Sequence, residues 1–415
     1  MALWRNTMRI TIRALPISKV LFLLYVVYTN VTSYSLFFVR GLSSVLLLSA
    51  LVFLLFCDGF SIKWNKSFSV LIVFALYSLG SGILVAVNVD LVISFLTNFV
   101  EYLVMFYMVL RYTDYDKKPD FVMWVFIMQS ITAVLLMVYK GVGKNRISIS
   151  EIVNVNILGI MFAFAIGFVL YLLISDNNPP IKLIAYFSII LLLLFGIMMT
   201  VSKKGIIAGA ALIVLWIILC YRLTFARLGK WFRLLLFVGL IVISVFVYRW
   251  YSESYYYQVD LVRYRMSQLY TGDSDQERLQ LIKEGIVIFL SHPLLGVGFN
   301  NARSYTSYNT YTHCFYSELC ACTGILGTIL FGYSMVFPWK GIVSHRRKSV
   351  QANENNRKIQ ASYMMVIYLV LLAVCWAQIL FYTAGMMYVF AVVSGYAAIV
   401  YKDKAGEKYG ESVLS

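Results

Sequence analysis

The chain has 415 residues, 61% of them hydrophobic and only 13% charged, with a net charge of +16. Soluble domains carry roughly a quarter charged residues, and a mean hydropathy of +0.80, with apolar runs from end to end, excludes a separate soluble domain. The composition therefore predicts one all-α polytopic membrane domain over 1–415, because lipid offers no partner to an unpaired backbone group and each crossing helix needs about 20 mostly apolar residues.

Arg5, Arg9 and Arg13 precede the first apolar run. A secretory signal has a shorter apolar core that ends at a small-residue cleavage site. The stretch from Val20 to Val39 is long and aromatic and lacks such a site, which predicts an uncleaved first helix. Apolar windows bounded by charges then predict twelve spans, at 20–39, 41–57, 68–88, 91–110, 121–139, 155–174, 183–201, 205–221, 234–249, 314–337, 361–380 and 383–401. The seventh and eighth follow each other so closely that they read as a tight hairpin. Six cysteines (Cys57, Cys220, Cys314, Cys320, Cys322 and Cys375) lie in or beside apolar segments without metal-ligand spacing. They read as small apolar residues, and neither a metal nor another cofactor is expected.

Orientation follows from the basic residues of the short loops. With the N-terminus inside, 23 of the 35 Lys and Arg residues fall on the cytoplasmic side, and twelve spans return the C-terminus to it. The remaining twelve are Arg40, Lys140, Lys144, Arg146, Lys203, Lys204, Arg249, Arg263, Arg265, Arg278, Lys283 and Arg303. Arg40 and Arg249 fit snorkelling at helix ends. The others concentrate in three outer segments, where an anionic ligand outside the membrane accounts for them. Arg clusters bind phosphate best, through bidentate charge-assisted hydrogen bonds.

The one large outer loop, 250–313, lies between the ninth and tenth spans. It opens with Tyr255, Tyr256 and Tyr257, suited to the interface or to stacking on sugar rings. Ser274 or Asp275 caps a helix expected to reach about Leu290 with Glu277 in its first turn. Leu279, Ile282, Ile286 and Phe289 recur at helical spacing, so this helix is expected to lie with that face against the membrane domain. After Ser291-His292-Pro293 comes a glycine-bearing turn, Gly296 to Asn301, and then Tyr311-Thr312-His313 leads into a helix with Thr323-Gly324-Ile325-Leu326-Gly327.

The order of Arg278, His292 to Phe299 (His-Pro-Leu-Leu-Gly-Val-Gly-Phe), His313 and Thr323 to Gly327 resembles the O-antigen ligase and surface polysaccharide polymerase superfamily. Thr200 to Gly205 looks like that family's Ser-Arg-Gly hairpin, and Arg146 with Asn156-Ile157-Leu158-Gly159 looks like its outer-loop arginine and Asn-x-x-Gly. The resemblance covers roughly 195–330 in its specific part. It implies a glycosyltransferase whose donor is an undecaprenyl-pyrophosphate-linked glycan, with His313 as the catalytic histidine and Arg278 as the loop arginine. Arg146, Lys203 and Lys204 are then expected at the donor pyrophosphate. The chain departs from the pattern at Lys203, which keeps the charge of the usual arginine but loses its fork. It departs also at Cys314, where asparagine commonly follows the histidine, and at Cys322, where an acidic residue often precedes Thr-Gly.

Physical chemistry points the same way. An acceptor hydroxyl must lose a proton, which an imidazole can take, and a departing pyrophosphate gains charge that fixed cations stabilise. Glu318, fewer than two turns beyond His313, is expected to help orient the site, with Arg303 and Arg265 as supporting residues. Glu101 lies in a span and is expected to pair with another helix. His292 reads as a helix-end feature and His345, beside Arg346-Arg347-Lys348, as a solvated determinant of topology. Asp273-x-Asp275 is an acidic pair of a kind that chance supplies, and it is not assigned a metal.

The predicted reaction is polymerisation of lipid-linked repeat units on the outer face of a bacterial plasma membrane. A ligase that moves finished glycan to lipid A-core or another acceptor is the alternative, and a flippase or other transporter the second. A transporter should show repeat symmetry and charges at mid-membrane depth in several helices, and the sequence has neither. The partners expected are the lipid-linked donor, a glycan acceptor and membrane lipids, with a chain-length regulator or flippase as candidate protein partners and no nucleic acid.

Overall fold

A computed structural model describes residues 2–32, 41–140, 154–175, 179–224, 260, 264, 267 and 273–399. Among these the secondary structure is helical, without strands. The helices are α1 (Ala2–Thr32), α2 (Leu42–Cys57), α3 (Lys66–Val85), α4 (Val89–Asp116), α5 (Asp120–Lys140), α6 (Val155–Ser175), α7 (Pro180–Thr200) and α8 (Lys203–Thr224). They continue with α9 (Asp273–Ser291), α10 (Phe315–Gln351), α11 (Asn355–Val374) and α12 (Ala384–Ala398), with short 3-10 turns at Ala302–Tyr305 and Leu380–Tyr382. Seven of the described helices (α3, α4, α5, α6, α7, α10 and α11) are long and apolar enough to cross a membrane, and stretches of α1, α2 and α12 are apolar but shorter. The span expected at 234–249 lies outside the described residues.

Helix ends follow local chemistry. Asn65 accepts a 2.9 Å hydrogen bond from the Ser67 N–H at the start of α3, and Asn88 accepts from Asp90 and Leu91 at the start of α4. Pro179 and Pro180 open α7, where a missing N–H costs nothing. α7 ends at Val201 in the left-handed conformation, and Ser202 Oγ accepts from Gly205 N–H to begin α8, which makes the expected tight hairpin.

α6 is apolar on every side, and 94% of its most apolar window is buried, so it forms the centre of the bundle with α5, α7, α8 and α11 around it. Neighbouring helices are also joined by polar groups that reach backbone carbonyls. Trp216 of α8 donates to Leu170 O of α6 at 2.9 Å, Tyr388 of α12 to Val122 O of α5 at 2.9 Å, and Tyr368 of α11 to Met335 O of α10 at 2.6 Å. Such groups have no water to fall back on in lipid, so they fix helix pairings. The expected partner of Glu101 is Tyr25 of α1, whose hydroxyl donates to it at 2.8 Å.

The turns expected outside gather at one end of the bundle. Asn301 joins the α3–α4 turn at Asn88, Gly159 touches the α7–α8 hairpin at Ser202, and Phe315 N–H donates to Cys375 O at the end of α11. The turns expected inside meet at the other end, where Arg111 pairs with Asp58, Lys19 with Asp116, and His345 with Ala397.

Four expectations need correction. The helix in the large loop buries Leu281, Gly285 and Ile288 rather than the stripe through Leu279 and Ile286, which are 52% and 50% exposed. Apolar residues lie on both faces of α9, and the face that packs is chosen by the close approach of Gly285 to Ser317 and Thr312. The first helix spans Ala2–Thr32 rather than starting at residue 20. The eleventh helix stops at Val374 rather than 380, and residues 375–383 form a link with its own short 3-10 turn. His345 is not solvated: a ring nitrogen lies 3.1 Å from Ala397 O, and its ring packs on Tyr396.

Candidate active site

The His-Pro-Leu-Leu-Gly-Val-Gly run and the Thr-Gly-Ile-Leu-Gly helix form one structural unit. α10 breaks at Gly324, which takes φ 61°, ψ −166°, and this releases backbone groups of the turn before it. Val297 N–H donates to Ala321 O at 3.0 Å and Gly298 N–H to Cys322 O at 2.9 Å, while Ile325 N–H returns a 2.8 Å bond to Pro293 O. The freed carbonyl of Thr323 accepts from Tyr77 of α3 at 2.8 Å. Gly296 and Gly324 both have positive φ, and a Cβ on either would lie within 2.5 Å of the other segment's backbone. Only glycine satisfies both demands. The run thus locks the loop onto the helix that begins just after His313.

The loop is tied down on two further sides. Asn301 makes a reciprocal pair with the Asn88 peptide, accepting from its N–H at 2.9 Å and donating to its carbonyl at 3.0 Å. Glu284 of α9 accepts from Ser307 N–H and Oγ at 3.1 and 2.7 Å.

His313 sits in the left-handed region at φ 58°, an uncommon conformation for a residue with a Cβ. Its neighbours impose it. Thr312 N–H donates to Glu318 Oε2 at 2.8 Å, Thr312 Oγ1 donates to Cys314 O at 3.1 Å, and Phe315 N–H is held by Cys375 O at 2.9 Å. Glu318 is fully buried and also accepts from Tyr382 hydroxyl at 2.8 Å, with the Cys322 thiol 3.5 Å away. An uncompensated carboxylate would be costly there. This one holds three donors, two of which belong to the frame of the histidine loop. Cys322, the departure from the family pattern, is one of them, so the buried carboxylate of this region sits a turn earlier, at Glu318.

The imidazole is half-buried and packs against Tyr311, ring centroids 4.3 Å apart. Its pKa is lowered to about 4 by burial, then by the positive charges of Arg278 and Lys204. Arg278 comes from the first half of α9 and Lys204 from the first turn of α8, so two distant parts of the chain bear on one ring. Lys203 and Lys204 occupy the N-terminus of a helix, where the dipole disfavours cations by about 0.3–1 kcal/mol each. Lys204 donates to Ala377 O in the 375–383 link, and Lys203 is half-buried beside it. The hairpin rests on the Asn156-Ile157-Leu158-Gly159 segment through glycines, for a Cβ on Gly205 would lie 2.6 Å from the Gly159 backbone. Arg303 donates to Asn300 Oδ1, and its buried Nε has no hydrogen-bond partner among the described residues.

The structure therefore brings together His313, Arg278, Lys204, Glu318 and, one loop away, Arg303. Arg146 and Arg265 lie outside the described residues, as do Tyr255, Tyr256 and Tyr257. His292 sits at the end of α9, with Nδ1 3.4 Å from Ile288 O and its ring on Tyr305. Among the described residues no cluster of three or more His, Cys, Asp or Glu side chains is placed to hold a metal. The sequence reading missed Tyr382, which stands in the two-residue gap between apolar windows, and Gln378, which lies inside the window 361–380, and it passed over Tyr311. Two phenols and an amide within so apolar a stretch were the available signal.

Residues 187–332 match a family model described as O-antigen ligase. Over this segment the chain is similar to that family. The match begins in α7, takes in the Lys203–Lys204 hairpin, Arg278, the glycine run and His313, and ends in α10 beyond the Gly324 break. No curated protein matches the chain. Among its described residues the matched segment is helical, and its cationic and histidine side chains converge at one end of the bundle.

Proposed function

We propose that this chain polymerises undecaprenyl-pyrophosphate-linked oligosaccharide repeat units on the outer face of a bacterial plasma membrane. The observation that carries the reading is the convergence of Arg278 and Lys204 on a half-buried His313. In this reading the end of the bundle that bears the site faces outward, and Arg278 and Lys204, joined by Lys203 and Arg146, hold the donor pyrophosphate at headgroup level. His313 takes the proton of the acceptor hydroxyl. The acceptor oxygen bonds to the anomeric carbon as that carbon's bond to the phosphate oxygen breaks, and the negative charge passes to the pyrophosphate. Cations fixed beforehand stabilise that charge more in the transition state than in the ground state.

The lowered pKa fits a base that switches on with substrate. Burial and two cations keep the imidazole neutral and weakly basic. A bound pyrophosphate offsets those cations and raises the imidazole toward the range where general base catalysis is effective. Glu318 acts through the loop as a positioning residue, because it holds the Thr312 peptide and Tyr382 rather than the ring itself.

Replacement of His313 or Arg278 by alanine in the native host, with analysis of its surface glycan, tests the reading. The expected result is loss of long chains with accumulation of single lipid-linked repeats. Unchanged glycan with a stably expressed variant contradicts the site. The ligase reading is favoured by the description of the matched family. It expects a different product from the same variants, intact long chains left on the lipid carrier.

A further inference from the structure

Beside the histidine loop lies a second feature that the proposed proton transfer does not use. A cavity of about 250 Å³ opens between α4, the loop after Phe299 and the 375–383 link. Its polar lining includes Ser94 and Asn98 of α4, Gln378 and Arg303, and its aromatic lining includes Tyr311 and Tyr382. None of its lining residues is a carboxylate among those described.

Three observations say what it takes. Ser94 and Asn98 are exposed polar residues one turn apart within the first half of α4. An amide facing lipid there would be costly, whereas an amide facing a cavity has water or ligand to bond. Gln378 is 4% exposed and also faces the cavity, so the amides of Asn98, Asn300 and Gln378, each both donor and acceptor, stand with the hydroxyls of Ser94 and Thr383 and phenol rings around one space. Arg303 adds a buried Nε–H that has no acceptor among the described residues. Adjacent donors and acceptors beside aromatic faces match a sugar ring, with hydroxyls at its edge and C–H groups on its flat sides. A phosphate fits less well, because it calls for several cations and the cavity has one. The cations that lower the pKa of His313 are Arg278 and Lys204, and Tyr311, which packs on His313 and lines the cavity, feels both Arg278 and Arg303.

We propose that this cavity is the subsite for the acceptor's terminal sugar, held by Asn98, Gln378 and Arg303, with Tyr311, whose ring packs on His313, in its wall. The inference rests on the glycosyltransferase reading but is tested by binding alone. Full-length protein in nanodiscs is titrated with the methyl glycosides of the host's own surface-glycan sugars, and saturation-transfer NMR reads the binding. At least one glycoside is expected to bind wild type and His313→Ala equally, while Asn98→Leu raises its Kd about tenfold, the loss of roughly one well-made hydrogen-bond pair. Gln378→Leu, in a different segment, is the second variant in case the first fails to fold, and the same weakening is expected. Absence of binding by every glycoside, or binding unchanged in both leucine variants, overturns the assignment. So does a sugar signal that inorganic pyrophosphate abolishes, since that gives the cavity to the donor's phosphates. Retained transfer by His313→Ala contradicts the catalytic reading instead and leaves the binding result untouched.

Discussion

The two ends of the bundle treat charge in opposite ways. At the end carrying Asp58 and Asp116, cations face carboxylates: Arg111 lies on Asp58 and Asp114, Lys19 on Asp116, Lys117 on Asp114 and Lys118 on Asp120. At the site end Arg303 and Lys204 donate to neutral oxygens of Asn300 and Ala377, and the buried carboxylate Glu318 accepts from a peptide N–H, a phenol and a thiol. Charge at the first end is compensated within the fold and serves stability. At the second end the positive charges of Arg278 and Lys204 bear on His313. The same residue types therefore pair within the fold at one end and, in the proposed function, act on substrate at the other.

Four outcomes break or sharpen that contrast. The largest effect belongs to the site: His313→Ala is expected to lower kcat by about 10²–10⁴-fold, and Arg278→Ala by about 10²–10³-fold, in transfer assays normalised to folded protein. Lys117→Ala, in an exposed pair at the other end, should leave the rate within about twofold. Next, Arg111→Ala removes one partner of a buried pair and leaves Asp58 uncompensated. A loss of about 3–5 kcal/mol in stability is expected, read as a lower Tm, with the rate per folded molecule unchanged. A rate that falls with it would mean that the two ends are coupled.

Glu318→Ala should lower kcat about tenfold with little change in KM, because it strands the Thr312 N–H and the Tyr382 hydroxyl at about 1–3 kcal/mol each. Glu318→Gln keeps one acceptor oxygen and should recover part of the loss. The smallest effect is in pH. With the pKa of His313 lowered from 6.5 to about 4, the free enzyme keeps a neutral imidazole well below pH 6.5. The acid limb of kcat/KM should therefore lie below 6.5, and Arg278→Gln should move it upward by removing one of the lowering charges. The same shift has a stability sign: between pH 6.5 and about 4 the unfolded chain takes up a proton that the folded one refuses. This group's contribution thus falls as pH drops through that window, and His313→Asn should flatten the slope there.

Much of this was legible in the sequence because membrane helices and glycine turns each write a local signature. Apolar windows located α2 through α8 within a few residues, since length and hydropathy alone decide what can span lipid. His313, Arg278 and Lys204 were legible as cations and an imidazole where insertion disfavours charge. What was not legible depends on contact. Nothing local says that the Gly296–Gly298 turn fills the break at Gly324 or that Asn98 and Gln378 share a cavity, because those pairs are far apart in the chain, and the six-residue reach of Glu318 back to Thr312 depends on how the loop folds over the start of α10. α9 was placed correctly but turned wrongly, for both of its faces carry apolar residues and only the close packing at Gly285 chooses between them.

The most direct test of the central claim is transfer by the purified full-length chain. The protein is reconstituted in nanodiscs with lipid-linked repeat units extracted from a host lacking this gene, and the products are resolved by length. The account predicts a ladder of chains with wild type and lipid-linked single repeats only with His313→Ala. A ladder from folded His313→Ala would contradict it.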